Sequence, residues 1–422
     1  MGIYIGDSSS KARKIKNIFI GGSNNLARKV KAVYVGDVNG VARLVWQSVK
    51  KKVSSVKNDI ALGSITDSYG LYRTQYVYKV NDNHILIGMR TGSPSGKLRG
   101  MIYNCHLNDN GDVISETRYE SSYEAYDSRQ VIIHSICKLN DSYGACLVSN
   151  YDNSSSSNSS RILQIFNLDS CTNYLKYSQI AYGSLDSAMG LFQLNNDSVF
   201  YPYYGTSGYV FGKIFTYKNN EIYESFNGTL TKGVASRREP FMYGRCLAFT
   251  LSNNRFGVIS VTNEQYVTAT SSSLQLLVNI YSYTYDSSTI KMNTTNLANH
   301  ALAWIDSLQY IIDIGDNYFI VCCYTKAFGF HIDASNSITL TNTVSGSFGM
   351  ASRIGTSDSI YTVSSNYTAS IIYYNKNNNT LEITYTGTQT NTELYDAPYK
   401  EQGIIHPVAS GNTITFYKTS FD

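Results

Sequence analysis

The side chains of this chain that could do acid–base, nucleophilic or metal chemistry are spaced for structure more than for catalysis. Asp82, Asp109, Asp141, Asp197 and Asp316 each stand beside Asn, Ser or Gly in short polar stretches, where a carboxylate bonds its own backbone two residues on. Glycoside hydrolysis needs two carboxylates flanking one bond, and no Ser-x-Asp-x-Gly-x-Thr-Trp box occurs to mark such an enzyme. Arg237-Arg238-Glu239 is the densest charged cluster after residue 60 and reads either as a loop site or as a solvated loop. His84, His106, His134, His300, His331 and His406 are scattered, with no HxH or HExxH spacing, so no zinc site is signalled. Asn108-Asn110-Gly111-Asp112, with Asp109 between them, has the composition of a calcium loop. It lacks the spacing and closing Glu of an EF-hand and reads as a hairpin turn. There is no P-loop, no GxGxxG opening a helix and no GxSxG elbow. No catalytic residue, cofactor or metal is assigned, and the chain is not read as an enzyme. A hydrolase site assembled from distant segments would leave no local motif, so that reading stays open.

Binding chemistry is easier to argue. The chain has 37 Tyr, and Tyr offers a rigid flat surface with a hydroxyl, suited to stacking on sugars and hydrogen bonding to them. Tyr123, Tyr126, Tyr201, Tyr203, Tyr204 and Tyr395 fall in or beside long polar segments and are the candidate surface-binding residues. The alternative is that these segments are only solvated loops.

The seven Cys (Cys105, Cys137, Cys146, Cys171, Cys246, Cys322 and Cys323) are odd in number and show no CxxC spacing. Most lie in apolar strand-like runs and read as reduced, buried small hydrophobes made in a reducing cytoplasm. No signal peptide is read at the start. No run of 18 apolar residues occurs, which argues against a membrane span.

The elements that must position these residues are strands. From residue 71 onward a polar turn follows an apolar strand seven times. The turns start at Asn81, Asn140, Asn195, Ser252, Gly315, Gly355 and Ser410, a mean spacing of about 55 residues. Each is followed by a second strand, as at His84–Met89, then a variable loop, a third strand, a short Asn/Asp/Ser turn and a fourth strand. Four strands per repeat of this length is the pattern of a β-propeller blade. The expected fold is therefore all-β, a seven-bladed β-propeller over 48–422. An open solenoid or two sandwiches would share the strand count. The seventh repeat stops at Asp422, read as after its second strand, so the strand-like segment 53–65 is expected to complete that blade and close the ring. Loops joining second to third strands and loops between blades emerge on one side. They are long in this sequence, for instance 91–100, 150–160, 204–208 and 262–273.

The first 47 residues carry a different period. Ile3-Tyr4-Ile5-Gly6, Ile18-Phe19-Ile20-Gly21 and Val33-Tyr34-Val35-Gly36 each lead to Ala-Arg, at Ala12-Arg13, Ala27-Arg28 and Ala42-Arg43, with a spacing of 15 residues. So short a unit cannot enclose a core and must stack on something. It reads as one strand and one turn per copy, a small β-repeat of about four strands. Residues 1–60 hold twelve Lys or Arg and three acids, a charge of +9. The whole chain carries +4, so the other 362 residues carry −5. A basic head on an acidic body suggests a steered contact. The basic residues sit in a regular strand pattern with few neighbours able to read bases, which weighs against nucleic acid.

This opening pattern, IYIGD…ARKIKN, IFIGG…ARKVKA and VYVGD…ARLVWQ, resembles tandem YVG…ARKVK units in virion proteins of bacteriophages and prophages of Gram-positive bacteria. The resemblance covers roughly residues 3–47. It departs at Ser8-Ser9-Ser10, where the family tends to have Asn-Gly, and at Leu44-Val45-Trp46, which replaces the basic ending. It implies a tail- or head-associated structural protein, assembled in the host bacterial cytoplasm and found in the virion. Residues 1–47 would dock it to other virion proteins in several copies, through Tyr4, Gly6, Arg13, Phe19, Gly21, Arg28, Tyr34, Gly36 and Arg43. The propeller would then bind a host surface glycan or protein, or else only contact neighbouring subunits as capsid or collar decoration. A wall-polysaccharide depolymerase is a third reading.

Overall fold

The structure is a computed structural model. It describes 52–422 apart from 68–70, 82, 93–97, 109, 125–129, 152–159, 169–173, 183–189, 205–208, 233–247, 252, 263–273, 287–288, 306–307, 365, 389–396 and 400–402. Within 1–51 it describes six strands. The chain divides into two compact units, Met1–Lys51 and Lys52–Asp422.

In the first unit each 15-residue copy is a hairpin rather than one strand and a turn. Tyr4–Gly6 pairs with Ala12–Lys14, Phe19–Gly21 with Ala27–Lys29, and Ala32–Gly36 with Ala42–Gln47. The result is three two-stranded sheets, six strands in place of the expected four. Pairing within a copy needs only a short loop to close, the least costly entropy available to such a chain.

The second unit is a seven-bladed β-propeller of four-stranded antiparallel sheets. Blade 1 is Leu71–Asn81, His84–Gly92, Leu98–Leu107 and Val113–Glu124. Blade 2 is Gln130–Lys138, Tyr143–Tyr151, Ser160–Asn167 and Tyr174–Tyr182. Blade 3 is Phe192–Asn195, Ser198–Tyr204, Tyr209–Lys218 and Glu221–Lys232. Blade 4 is Ala248–Leu251, Arg255–Thr262, Leu274–Asp286 and Thr289–Ile305. Blade 5 is Leu308–Gly315, Tyr318–Cys323, Lys326–Ile332 and Ile338–Ser345. Blade 6 is Met350–Arg353, Ser359–Val363, Thr368–Asn375 and Thr380–Thr388. Blade 7 takes Ala397–Tyr399, Gly403–Ser410 and Thr413–Phe421 from the end of the chain and Val56–Thr66 from near its start.

The core is a ring of clusters between blades. Cys322 and Cys323 show why the second strands are apolar without interruption. Neighbouring residues of a strand face opposite sides of the sheet, so Cys323 joins Phe319 and Val321 toward blade 4, while Cys322 joins Ile320 toward blade 6. The last junction closes the circle: Ile405, Ile414, Phe416 and Ile65 of blade 7 pack with Ile85, Ile87 and Met101 of blade 1. The fourth strands lie at the rim, and Ile338–Ser345 has no buried residue. Asn342 joins two of these rims: its Nδ2 donates to Leu381 O at 3.0 Å and its Oδ1 accepts from Leu381 N at 2.7 Å.

The Asn-rich turns have a backbone reason. Asn219-Asn220, Asn253-Asn254 and Asp316-Asn317 all have positive φ, between 52° and 63°. A two-residue hairpin with both central residues left-handed matches strand twist, and Asn and Asp tolerate it best after Gly.

The seventh turn lies one strand later than the sequence rhythm places it. Ser410-Gly411-Asn412 joins the second and third strands of blade 7, so the chain stops after the third strand. Ala397–Tyr399 is only three residues long. The link after it, 400–402 (Lys-Glu-Gln), lacks Asn, Asp and Gly and gives no turn signal.

Closure is tied at both ends. Val56–Thr66 pairs antiparallel with Thr413–Phe421, with Ile65 opposite Ile414. Ahead of it, Ser54 and Ser55 donate to Asp422 O, Thr384 Oγ1 donates to Val53 O at 2.7 Å, and Lys52 pairs with Glu382. Behind it, the buried Asp67 carboxylate accepts from Tyr103 Oη at 2.6 Å and pairs with Arg118 at 3.1 Å. Arg118 also donates to Thr66 O at 2.9 Å. Burial, reinforced by the Asp67 carboxylate, pushes the Tyr103 hydroxyl well above its ordinary range. The closing strand is therefore bonded to blade 6 before it starts and to blade 1 after it ends.

Candidate functional site

In antiparallel blades the links between second and third strands and the links between blades emerge at one end. The other two kinds of link emerge at the opposite end. The long loops singled out in the sequence belong to the first end on blades 1 to 4, and most of their residues lie outside the described ones.

The candidate tyrosines separate. Tyr201 is a correction: it is fully buried in the core between blades 2 and 3 and is not a surface residue. In the strand Ser198–Tyr204 its position turns it inward, and the YPYY run hides this because a Pro between tyrosines suggests a loop. Tyr203, two residues on, is half-buried. It stacks on Tyr201 at 5.3 Å and on Phe211 at 5.4 Å. Tyr204 is the last residue of that strand, at the second-to-third end. Tyr123 lies in the fourth strand of blade 1, one residue before its end toward blade 2. Tyr126, Tyr395 and Arg237-Arg238-Glu239 lie outside the described residues.

Blades 5 and 6 add two tyrosines that lie outside the long polar segments. Their second-to-third links are short: Tyr324-Thr325 in blade 5 and the segment 364–367 in blade 6. Tyr324 is 50% exposed and Tyr367 is 47% exposed. Tyr367 has φ +65°, a left-handed conformation rare for a bulky side chain. The turn that holds it is densely bonded. Tyr367 N donates to Ser364 O at 3.0 Å, Ser364 N donates to Thr368 O at 2.9 Å, and Ser364 Oγ bonds Asn366. The interblade link packs between the two turns: Phe348 N donates to Tyr324 O and Gly346 N to Thr325 O, both at 3.0 Å. At Gly349 a Cβ would stand 2.9 Å from Ser364 Cα and still closer to Val363 O, so only glycine allows this approach. A signal was available, since Tyr324 breaks the apolar run that ends at Cys323.

The opposite end is a bonded crown. Lys376 of blade 6 donates to Gly315 O at 3.0 Å and pairs with Asp316 and Asp358 at 3.2 and 3.3 Å. Its ammonium lies over the Tyr318 ring, which stacks on His331 at 4.0 Å. Burial lowers the His331 pKa. These groups satisfy one another and tie blades 5 and 6 together. Asn108 behaves likewise: its Oδ1 accepts from Asn110 N and Asp112 N, both at 2.9 Å, so the calcium-like sequence spends its ligands on its own turn. Among the described residues no group of three His, Cys, Asp or Glu is placed to hold a metal ion. His84 and His106 stack at 4.4 Å across paired strands of blade 1, with His84 bonded to Asn104.

The repeat positions for which the resemblance implies docking share one register in the first unit. Gly6, Gly21 and Gly36 face Ala12, Ala27 and Ala42. Arg13, Arg28 and Arg43 face Ile5, Ile20 and Val35. Tyr4, Phe19 and Tyr34 face Lys14, Lys29 and Leu44.

No protein-family model and no curated protein matches the chain. Among solved structures it is similar to the WD40 β-propeller domain of Doa1, at 12% identity and TM-score 0.44, over 85% of this chain and 96% of that one. It is similar to the C-terminal WD40 domain of Sif2, at 8% identity and TM-score 0.47, over 88% of this chain and 100% of that one. A putative 6-phosphogluconolactonase from Bacteroides fragilis aligns at 9% identity and TM-score 0.47, over 80% of this chain and 95% of that one.

Proposed function

We propose that this chain is a bacteriophage virion structural protein. Residues 1–47 dock it on the particle, at the tail, fibre or baseplate, in several copies, and the propeller binds a host surface glycan or protein. The observation that carries the reading is the threefold hairpin with one register. Three copies repeat the Gly–Ala and aliphatic–Arg pairings with an aromatic residue next to them, facing Lys in two copies and Leu in the third, and no copy is long enough to bury a face alone. A short repeated unit with a charge of +9 over residues 1–60 suits assembly onto other subunits. The propeller supports the second half of the reading through exposed tyrosines at its second-to-third end, on turns fixed by backbone bonds.

Imaging of particles with a label on the chain tests this reading. A position at the tail tip is expected. A position on the capsid or collar would replace host binding by decoration. Release of sugars from host wall polysaccharide by the purified chain would replace binding by depolymerisation.

A further inference from the structure

We infer that Tyr324 and Tyr367 form a carbohydrate subsite on blades 5 and 6, selective for an uncharged polysaccharide; this rests on the host-glycan reading above. Isolated exposed aromatics are ordinary on protein surfaces, and three observations set these two apart.

The first is placement. Both tyrosines stand on second-to-third turns of adjacent blades, at the same end of the propeller, and the interblade link bonded to Tyr324 O packs onto the Ser364 turn. The second is backbone conformation. A Tyr held at φ +65° is disfavoured by contact between its Cβ and the backbone, and Gly or Asn would sit there more easily. Strain of this kind persists where the surroundings fix it, and it clusters at ligand-binding positions. The four-residue turn does fix it, through the bonds of Ser364, Asn366 and Thr368.

The third is charge. The segments 323–325, 345–351 and 363–370 contain no Asp, Glu, Lys, Arg or His. Lys326 is the one ionic neighbour in sequence. What these segments offer instead is Thr325, Ser345, Ser347 and Asn366, neutral hydroxyl and amide side chains on the same turns and link as the two tyrosines. An anionic polymer such as teichoic acid would be met by clustered cations. Stacking planes with neutral hydrogen-bonding groups match the C–H faces and hydroxyls of neutral sugars.

The test uses the full chain and two probes from one host: purified neutral wall polysaccharide and purified teichoic acid. The parent is expected to bind the neutral fraction with little salt dependence. Tyr324→Ala and Tyr367→Ala should each weaken it at least tenfold, while Tyr367→Phe keeps binding within about threefold. Tyr367→Gly separates function from folding: it should lose binding like the alanine variant while its melting temperature stays level or rises. Parent-like binding by the alanine and glycine variants overturns the subsite while leaving the host-glycan reading standing. So does salt-sensitive binding to teichoic acid alone. A parent that binds neither fraction nor intact cells overturns both.

Discussion

Replacing Asp67 with alanine should loosen the ring at its seam, and the size of the effect follows from what the carboxylate touches. Asp67 is buried, at 2% exposure, and accepts the Tyr103 hydroxyl at 2.6 Å and Arg118 at 3.1 Å. Tyr103 is itself buried, so its hydroxyl would lose its acceptor in a dry place, at about 1–3 kcal/mol. Arg118 is 37% exposed and regains water, so its share is about 0–1 kcal/mol. Asp67→Ala should therefore cost about 1–4 kcal/mol. Tyr103→Phe removes the stranded hydroxyl, so the double variant should be less destabilised than the sum of the singles, by about 1–2 kcal/mol. Urea unfolding of the four proteins gives this coupling. Hydrogen exchange should place the first loss of protection in Val56–Thr66, whose far end these bonds hold. Additive single effects, or unchanged exchange in that strand, would refute the seam as the bonds describe it.

Other consequences are equally direct. Gly349→Ala should destabilise the propeller by about 1–3 kcal/mol, because the new methyl meets backbone that cannot rotate away; a denaturation midpoint reads this. Cys105, Cys137, Cys146, Cys322 and Cys323 are buried, and burial pushes the Cys137 thiol up to about 12. At pH 8 its thiolate fraction is on the order of 10⁻⁴, and burial shields the other four from solvent, so thiol reagents should label these five only after unfolding. Burial holds the His331 pKa below its ordinary value of 6.5. The fold therefore favours neutral imidazole, and stability present above that value should fall as pH drops through 6.5 toward the lowered pKa. His331→Gln should flatten that part of the profile.

Much of the ring was legible because its turns are chemical. Asn and Asp at positive φ mark where blades reverse, and the apolar second strands stand out because both their faces are buried. The seventh turn was misplaced for the same reason, since Lys400-Glu401-Gln402 carries no turn signal and Ser410-Gly411-Asn412 does. The hairpin pairing within each 15-residue copy was hidden because alternation continues from Ala12 to Ile20 without a break in sequence. Tyr201 looks like a surface residue in the sequence because burial depends on which side of a strand a residue takes, and a YPYY run does not announce its phase. Tyr367 was missed because nothing local marks a tyrosine held in a left-handed turn. Its backbone angle is set by Ser364, Asn366 and Thr368 together.

Particle incorporation tests the docking role proposed for residues 1–47. Phage particles assembled with the full chain and with a chain starting at Lys52 can be purified and their content of this protein measured. The shortened chain is expected to fold, with the parent's spectrum and unfolding midpoint, and to be absent from the particles. Incorporation equal to that of the full chain would rule out docking through residues 1–47.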